Sequence, residues 1–144
     1  MYTPHTITIF NSYKNDGDKT TYYQPTRLTG VFRQGARAQS TDSNGTVKRG
    51  TDKLFIPLTV TAEDGRQYIK PSDFAALTEE ERADSWTLNE RGDFYIMGTY
   101  TAPEDGVIRW DDIRTAHRSG HKILAVKICD YGSDELRHWE VDAE

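Results

Sequence analysis

The sequence is governed by short period-two apolar runs, each closed within a few residues by glycine, asparagine, aspartate or proline. Thr6 to Phe10 (TITIF) alternates threonine with isoleucine and phenylalanine, the pattern of a half-buried strand. Turn clusters follow at Asn15-Asp16-Gly17-Asp18, Glu63-Asp64-Gly65, Gly92-Asp93, Ala102 to Gly106 (APEDG) and Gly132-Ser133-Asp134. Between them lie β-prone runs at Thr20 to Tyr23, Arg27 to Arg33, Lys53 to Thr61, Arg66 to Ile69, Phe94 to Met97, His121 to Asp130 and Leu136 to Val141. Strands this frequent predict one mainly β domain over residues 1–144, a small barrel or sandwich of about seven to nine strands with one or two short helices. At 144 residues, such a domain can bury a core without metal or disulfide staples.

Prolines qualify two strands. Gln24-Pro25 separates Thr20–Tyr23 from Arg27–Arg33, which predicts a hairpin with a following strand and a bend or edge between them. Pro57 inside KLFIPLTVT predicts an edge or a bulge.

The densest set of signals runs from Gln67 to Tyr100. Tyr68 and Ile69 end a strand that Pro71 stops. Ser72 is placed to cap a helical turn carrying Phe74 and Leu77. Thr78 and Glu81 have capping-box spacing. Trp86 and Leu88 restart the apolar pattern, and Phe94 to Met97 form a strand that closes at Gly98. Tyr68, Pro71, Phe74, Trp86, Trp110 and Trp139 are the expected core or interface anchors. Farther on, Asp111 is a candidate N-cap and Gly120 a stop, which predicts a short helix over 110–119.

Residues 34–51 (QGARAQSTDSNGTVKRGT) have no periodicity and read as a long mobile loop or a β-arm with Asn44-Gly45 at its tip. Around it lie Arg33, Arg37, Lys48, Arg49 and Lys53, against Asp42 and Asp52. The segment is locally basic within a chain of net charge −5. It is either a solvated loop or a surface that meets nucleic acid or an acidic partner. The overall charge argues against bulk DNA binding and leaves a local patch open.

Linear signatures of catalysis are lacking. The sequence contains no G-x-S-x-G, no P-loop, no G-x-G-x-x-G and no HExxH. His117 and His121 have the spacing of a helical zinc pair, but Gly120 between them ends the helix. Asp111-Asp112 and Glu79 to Glu81 are explained by capping. Cys129, the single cysteine, reads as a small apolar residue in a buried strand. Tyr22, Tyr23, Phe32, Tyr68, Tyr95 and Tyr100 could form a base-stacking platform, although sheet packing uses the same residue types. No apolar run reaches the roughly 18–20 residues of a membrane span. MYTPHTITIF lacks the pattern of a secretory signal, so the cytoplasm of the producing cell is the default location. The expectation is a protein without enzymatic activity, cofactor or metal.

One ordered set of residues resembles the head-closure (neck) proteins of long-tailed bacteriophages, the "minor capsid proteins" of phages of Gram-positive hosts. It comprises Ile7-Thr8-Ile9-Phe10-Asn11, Gly30-Val31-Phe32, Phe55-Ile56-Pro57, Tyr68-Ile69-x-Pro71-x-x-Phe74, and Trp86-Thr87-Leu88 leading to Gly92-Asp93-x-x-x-x-Gly98. It spans roughly residues 6 to 100, and His138-Trp139-Glu140-Val141 resembles the family's closing strand. The sequence departs from the pattern at Thr78 to Ala83 and in its length after Gly98. The resemblance implies a small β-barrel that forms a homo-oligomeric ring beneath the portal and adaptor. Such a ring closes the DNA channel after packaging and offers the docking surface for tail-completion proteins. The protein would then reside in the virion neck, after assembly in the host cytoplasm, with no membrane partner. On this reading the basic segment, with Arg33, Arg37, Lys48, Arg49 and Lys53, would face the lumen and touch packaged DNA without reading its sequence. Alternatives are a tail terminator or adaptor, and a nucleic-acid-binding barrel.

Overall fold

The computed structural model describes residues 3–14, 20–35, 40–41, 47–48, 52–90, 92–100, 108–109, 111, 120–133 and 136–144. Alternating apolar positions along β1 (His5–Lys14) send Ile7 and Ile9 into the interior and Phe10 to the opposite face. β1 pairs antiparallel with β2 (Thr21–Gln34) and with β9 (Phe94–Met97). From β9 the sheet continues through β10 (His121–Cys129), β11 (His138–Ala143) and β5 (Asp52–Pro57) back to β2. The β1–β2 ladder therefore brings the two ends of the sheet together, and six strands curl into a nearly closed barrel. The β9–β10 ladder, two residue pairs long, is its shortest seam. A seventh strand, β6 (Thr61–Ala62), lies against β2.

β2 runs unbroken through Gln24-Pro25, and of the bend or edge expected there the structure shows the edge. Pro25 lies opposite Phe10 in the β1 ladder. The missing N–H is tolerated because this half of β2 has a strand partner on one side only, apart from a single bridge between Tyr23 and Ile108. The bend falls instead at Gly30, where φ is +93° and the β1–β2 register slips. A residue with a side chain is strained there, so glycine provides the bulge that lets β2 leave β1 and join β5 at Phe32–Gln34. Pro57, the last residue of β5, fits the expected edge locally: it pairs with His138 of β11, while the β2 ladder stops at Phe55. A turn at Leu58-Thr59 then divides the expected 53–61 strand into β5 and β6.

The interior holds Ile7, Ile9, Leu28, Val31, Leu54, Ile56, Trp86, Leu88, Tyr95, Ile123, Trp139 and Val141 in one cluster. Burial contributes roughly 1.5–3 kcal/mol for each large aliphatic side chain. Outside the barrel wall, Phe10, Ile96 and Ile108 form a smaller cluster, with Tyr23 and Tyr100 against it.

The segment from Gln67 to Leu88 closes over the interior. β7 (Gln67–Tyr68) pairs parallel with β8 (Ser85–Trp86) and does not return to β6. Two short helices connect them, α1 (Pro71–Phe74) and α2 (Glu79–Ala83). Pro71 is the first residue of α1 and Lys70 its cap, so Ser72 does not cap. The Thr78–Glu81 capping box is present. The Gln24 side chain holds this segment to β2, donating to the Arg82 and Ser85 carbonyls at 2.9 and 3.0 Å.

Among the described residues there are eleven strands, more than expected because β3, β4, β6, β7 and β8 are two residues each. The expected 110–119 helix and the 15–18 turn lie outside the described residues, apart from Asp111.

Candidate functional site

Residues 34–51 connect two neighbouring strands, β2 and β5, whose ladder ends at Gln34↔Lys53. Beyond that pair, β3 (Ser40–Thr41) and β4 (Val47–Lys48) form an antiparallel ladder of their own. At its described residues the segment is thus a two-stranded arm. Its register places Ser40 opposite Lys48 and Thr41 opposite Val47; the expected tip, Asn44-Gly45, lies outside the described residues.

The root of the arm is held by ionised groups. Arg33, near the end of β2, donates from Nη2 to Asp52 Oδ2 at 2.8 Å. His121, at the start of β10, places Nδ1 2.7 Å from the same oxygen. The Asp52 side chain is 5% exposed, so its charge is compensated inside the protein. Burial holds the His121 imidazole below its usual range, against the pull of Asp52 and with the Arg33 charge in support. A neutral His121 donates from Nδ1 to Asp52 and turns Nε2 toward Arg33 Nη2, 3.4 Å away. Beneath it, Tyr95 stacks on the imidazole at 4.9 Å, and burial pushes its phenol up to about 12. The Arg33 N–H donates to His5 Nδ1 at 3.1 Å, and His5 stacks on Phe32.

Lys53 completes the root. Its Nζ lies 3.0 Å from Glu140 and 3.4 Å from Asp142. Of the five basic residues expected to face DNA, Arg33 and Lys53 are thus engaged by carboxylates of the barrel. Arg37 and Arg49 lie outside the described residues, as does the Lys48 side chain.

Of the expected anchors, Phe74, Trp86 and Trp139 are buried. Tyr68 packs on both tryptophans, with ring centroids 5.2 Å from Trp86 and 4.6 Å from Trp139. Pro71 starts α1, and Trp110 lies outside the described residues. The six aromatics considered as a stacking platform are spread over different surroundings. Tyr95 is inside the barrel, Tyr68 belongs to the tryptophan cluster, and Tyr23 and Tyr100 pack on Phe10 and Ile96.

Two further polar clusters escaped sequence reasoning. Asp93 is fully buried and bonds Asn11, Ser12 and Asn89. On the outer face of the β10–β11 hairpin, Cys129, His138 and Glu140 bring one donor atom each to within 4.8 Å of one another.

The chain matches the family of unknown function DUF6751 over residues 2–144. It belongs to that family. No curated protein and no solved structure matches it. The catalytic potential of this DUF6751 protein must therefore be judged from its own geometry. The root of the arm contains a neutral histidine, a paired carboxylate and a paired guanidinium, all directed at one another. Such a set is built to hold two strands and a hairpin start in place.

Proposed function

We propose that this DUF6751 protein is a structural subunit of a phage head–tail connector, which closes the DNA channel after packaging and presents the tail docking surface. The reading rests on the resemblance in residues 6 to 100, and one observation carries it further. A two-stranded arm is inserted between adjacent strands of a nearly closed barrel, and its root is fixed by Arg33, Asp52 and His121. A ring subunit needs a stiff body to pack against its neighbours and an extension that reaches into the lumen. In this reading the arm is the lumen extension, and Arg37, Lys48 and Arg49 supply non-specific phosphate contacts. The exposed Ile128, Tyr131 and Leu136 on and beside the β10–β11 hairpin offer apolar surface for a neighbouring subunit or another neck ring.

Electron microscopy of particles from a strain lacking the gene tests the assignment. Full-length tails separate from heads that have lost their DNA are the expected result. Normally joined particles, or a lineage that makes no particles, would overturn it.

A further inference from the structure

The β10–β11 ladder sets Cys129 directly opposite His138. Glu140 lies two residues beyond His138 and therefore projects from the same face, opposite to Trp139 and Val141 in the core. The three side chains thus meet on the outside of the barrel. Cys129 is nonetheless 3% exposed, and its Sγ lies 4.0 Å from Glu140 Oε2.

Two contacts prepare the donor atoms. His138 Nδ1 lies 2.7 Å from the Leu136 carbonyl oxygen. A carbonyl can only accept, so Nδ1 carries the proton and Nε2 keeps its lone pair. Metal-binding histidines are oriented in this way. Glu140 gives Oε1 to Lys53 at 3.0 Å, which leaves Oε2 toward the thiol. The charge of Lys53 is shared with Asp142, so the ammonium is compensated independently of Glu140. Phe55, 5.6 Å from the His138 ring, walls one side.

We infer that Cys129, His138 and Glu140 form a binding site for a divalent transition metal of zinc type. One sulfur, one nitrogen and one oxygen donor suit a borderline-soft ion. Bonds of about 2.0–2.3 Å in a tetrahedron place donors roughly 3.3–3.6 Å apart, so small side-chain rotations close the observed spacing. Binding forms the metal–sulfur bond as the Cys129 thiol releases its proton to solvent, and His138 and Glu140 bind without losing one. Water fills the fourth position. The site is independent of the neck assignment and stands or falls separately from it.

Cobalt(II) and zinc(II) titrations of tag-free, full-length protein test it. Cys129 is the only cysteine, so a thiolate-to-cobalt absorption band can arise at no other residue. The expected result is such a band, saturating at one equivalent per chain and displaced by zinc. Cys129→Ser should abolish it, and both Cys129→Ser and His138→Gln should weaken zinc binding at least about 100-fold, beyond the roughly 10–100-fold cost of losing a supporting partner. Zinc should raise the unfolding temperature of the wild type and leave that of His138→Gln unchanged. No band from the folded wild type, saturation at half an equivalent, or equal zinc affinity in His138→Gln would overturn the site. The wild-type spectrum decides even if a variant fails to fold.

Discussion

Asn11 donates from Nδ2 to Asp93 Oδ2 at 2.8 Å, with both residues fully buried. The same amide nitrogen reaches the Thr87 carbonyl at 2.6 Å, and Asn11 Oδ1 accepts from the Thr87 N–H at 3.1 Å. Asp93 also accepts from the Ser12 N–H and hydroxyl and from the Asn89 N–H. One carboxylate therefore ties β1 to the segment that carries Trp86 and Leu88 into the barrel. A Cβ at Gly92 would meet Asn89 Nδ2 at 2.8 Å, so a larger residue there would push the Asn89 side-chain amide aside.

Asp93→Asn should lower stability by roughly 2–3 kcal/mol, because the new NH2 faces groups that themselves donate. Its pH dependence is specific. Burial raises the Asp93 carboxyl from 3.8 to about 6, although four hydrogen bonds to its oxygens oppose the rise. Between these values the folded protein binds more protons than the unfolded chain, so stability falls as pH rises toward 6. The interval corresponds to roughly 3 kcal/mol. Urea unfolding at several pH values should show this decline in the wild type and its loss in Asp93→Asn. An unchanged pH profile in the variant would refute it.

His121 has the opposite sign. Its folded pKa lies below the ordinary 6.5, so its contribution is full above that pH and is lost on acidification through the lowered value. His121→Gln should therefore steepen the stability decline with rising pH that Asp93 causes. Asp52→Asn removes the negative charge that faces both Arg33 and His121. It should cost roughly 2–4 kcal/mol, after discounting for the partial exposure of Arg33. Thermal melts at fixed ionic strength would check both; a neutral Asp52→Asn would show that the root is not held by this pair.

The barrel was legible in the sequence because period-two runs and turn clusters are local signals. The Thr78–Glu81 box and the burial of Trp86 and Trp139 were legible for the same reason. Pro25 and Pro57 marked places where a strand is paired on one side only, but which side is open is fixed by distant neighbours and was not legible. Asp93 was read as a turn residue, as local rules suggest. Its partners Asn11 and Ser12 lie some 80 positions away and become adjacent only when β1 meets β9. The cluster at Cys129 left a fainter trace. Only the β10–β11 register places Cys129 across from His138.

The tryptophan cluster should dominate core stability. Trp86 is 2% exposed and meets Trp139 edge-on, with ring centroids 5.4 Å apart. Trp86→Ala removes the largest buried side chain of the segment that closes the interior. It should cost roughly 3–5 kcal/mol, whereas Trp86→Phe keeps most of the apolar area and should cost less. Equal losses in the two variants, measured by chemical denaturation, would mean that packing volume is not what Trp86 supplies.

The arm is an insertion that can be removed without cutting a barrel strand. β2 and β5 already pair up to Gln34↔Lys53, Arg33 lies inside that boundary, and Asp52, one residue beyond it, is still held by β11 opposite Ala143. Replacing residues 36–50 with a short glycine-serine turn should therefore leave the fold within about 1 kcal/mol of the wild type, since loop length alters closure entropy only slowly. In a complemented knockout, the shortened protein should still be incorporated into particles, but their heads should lose DNA. Incorporation with full DNA retention would reject the arm as the channel closure while leaving the ring assignment intact. Failure to incorporate, with normal stability, would place the arm at a subunit contact instead of the lumen.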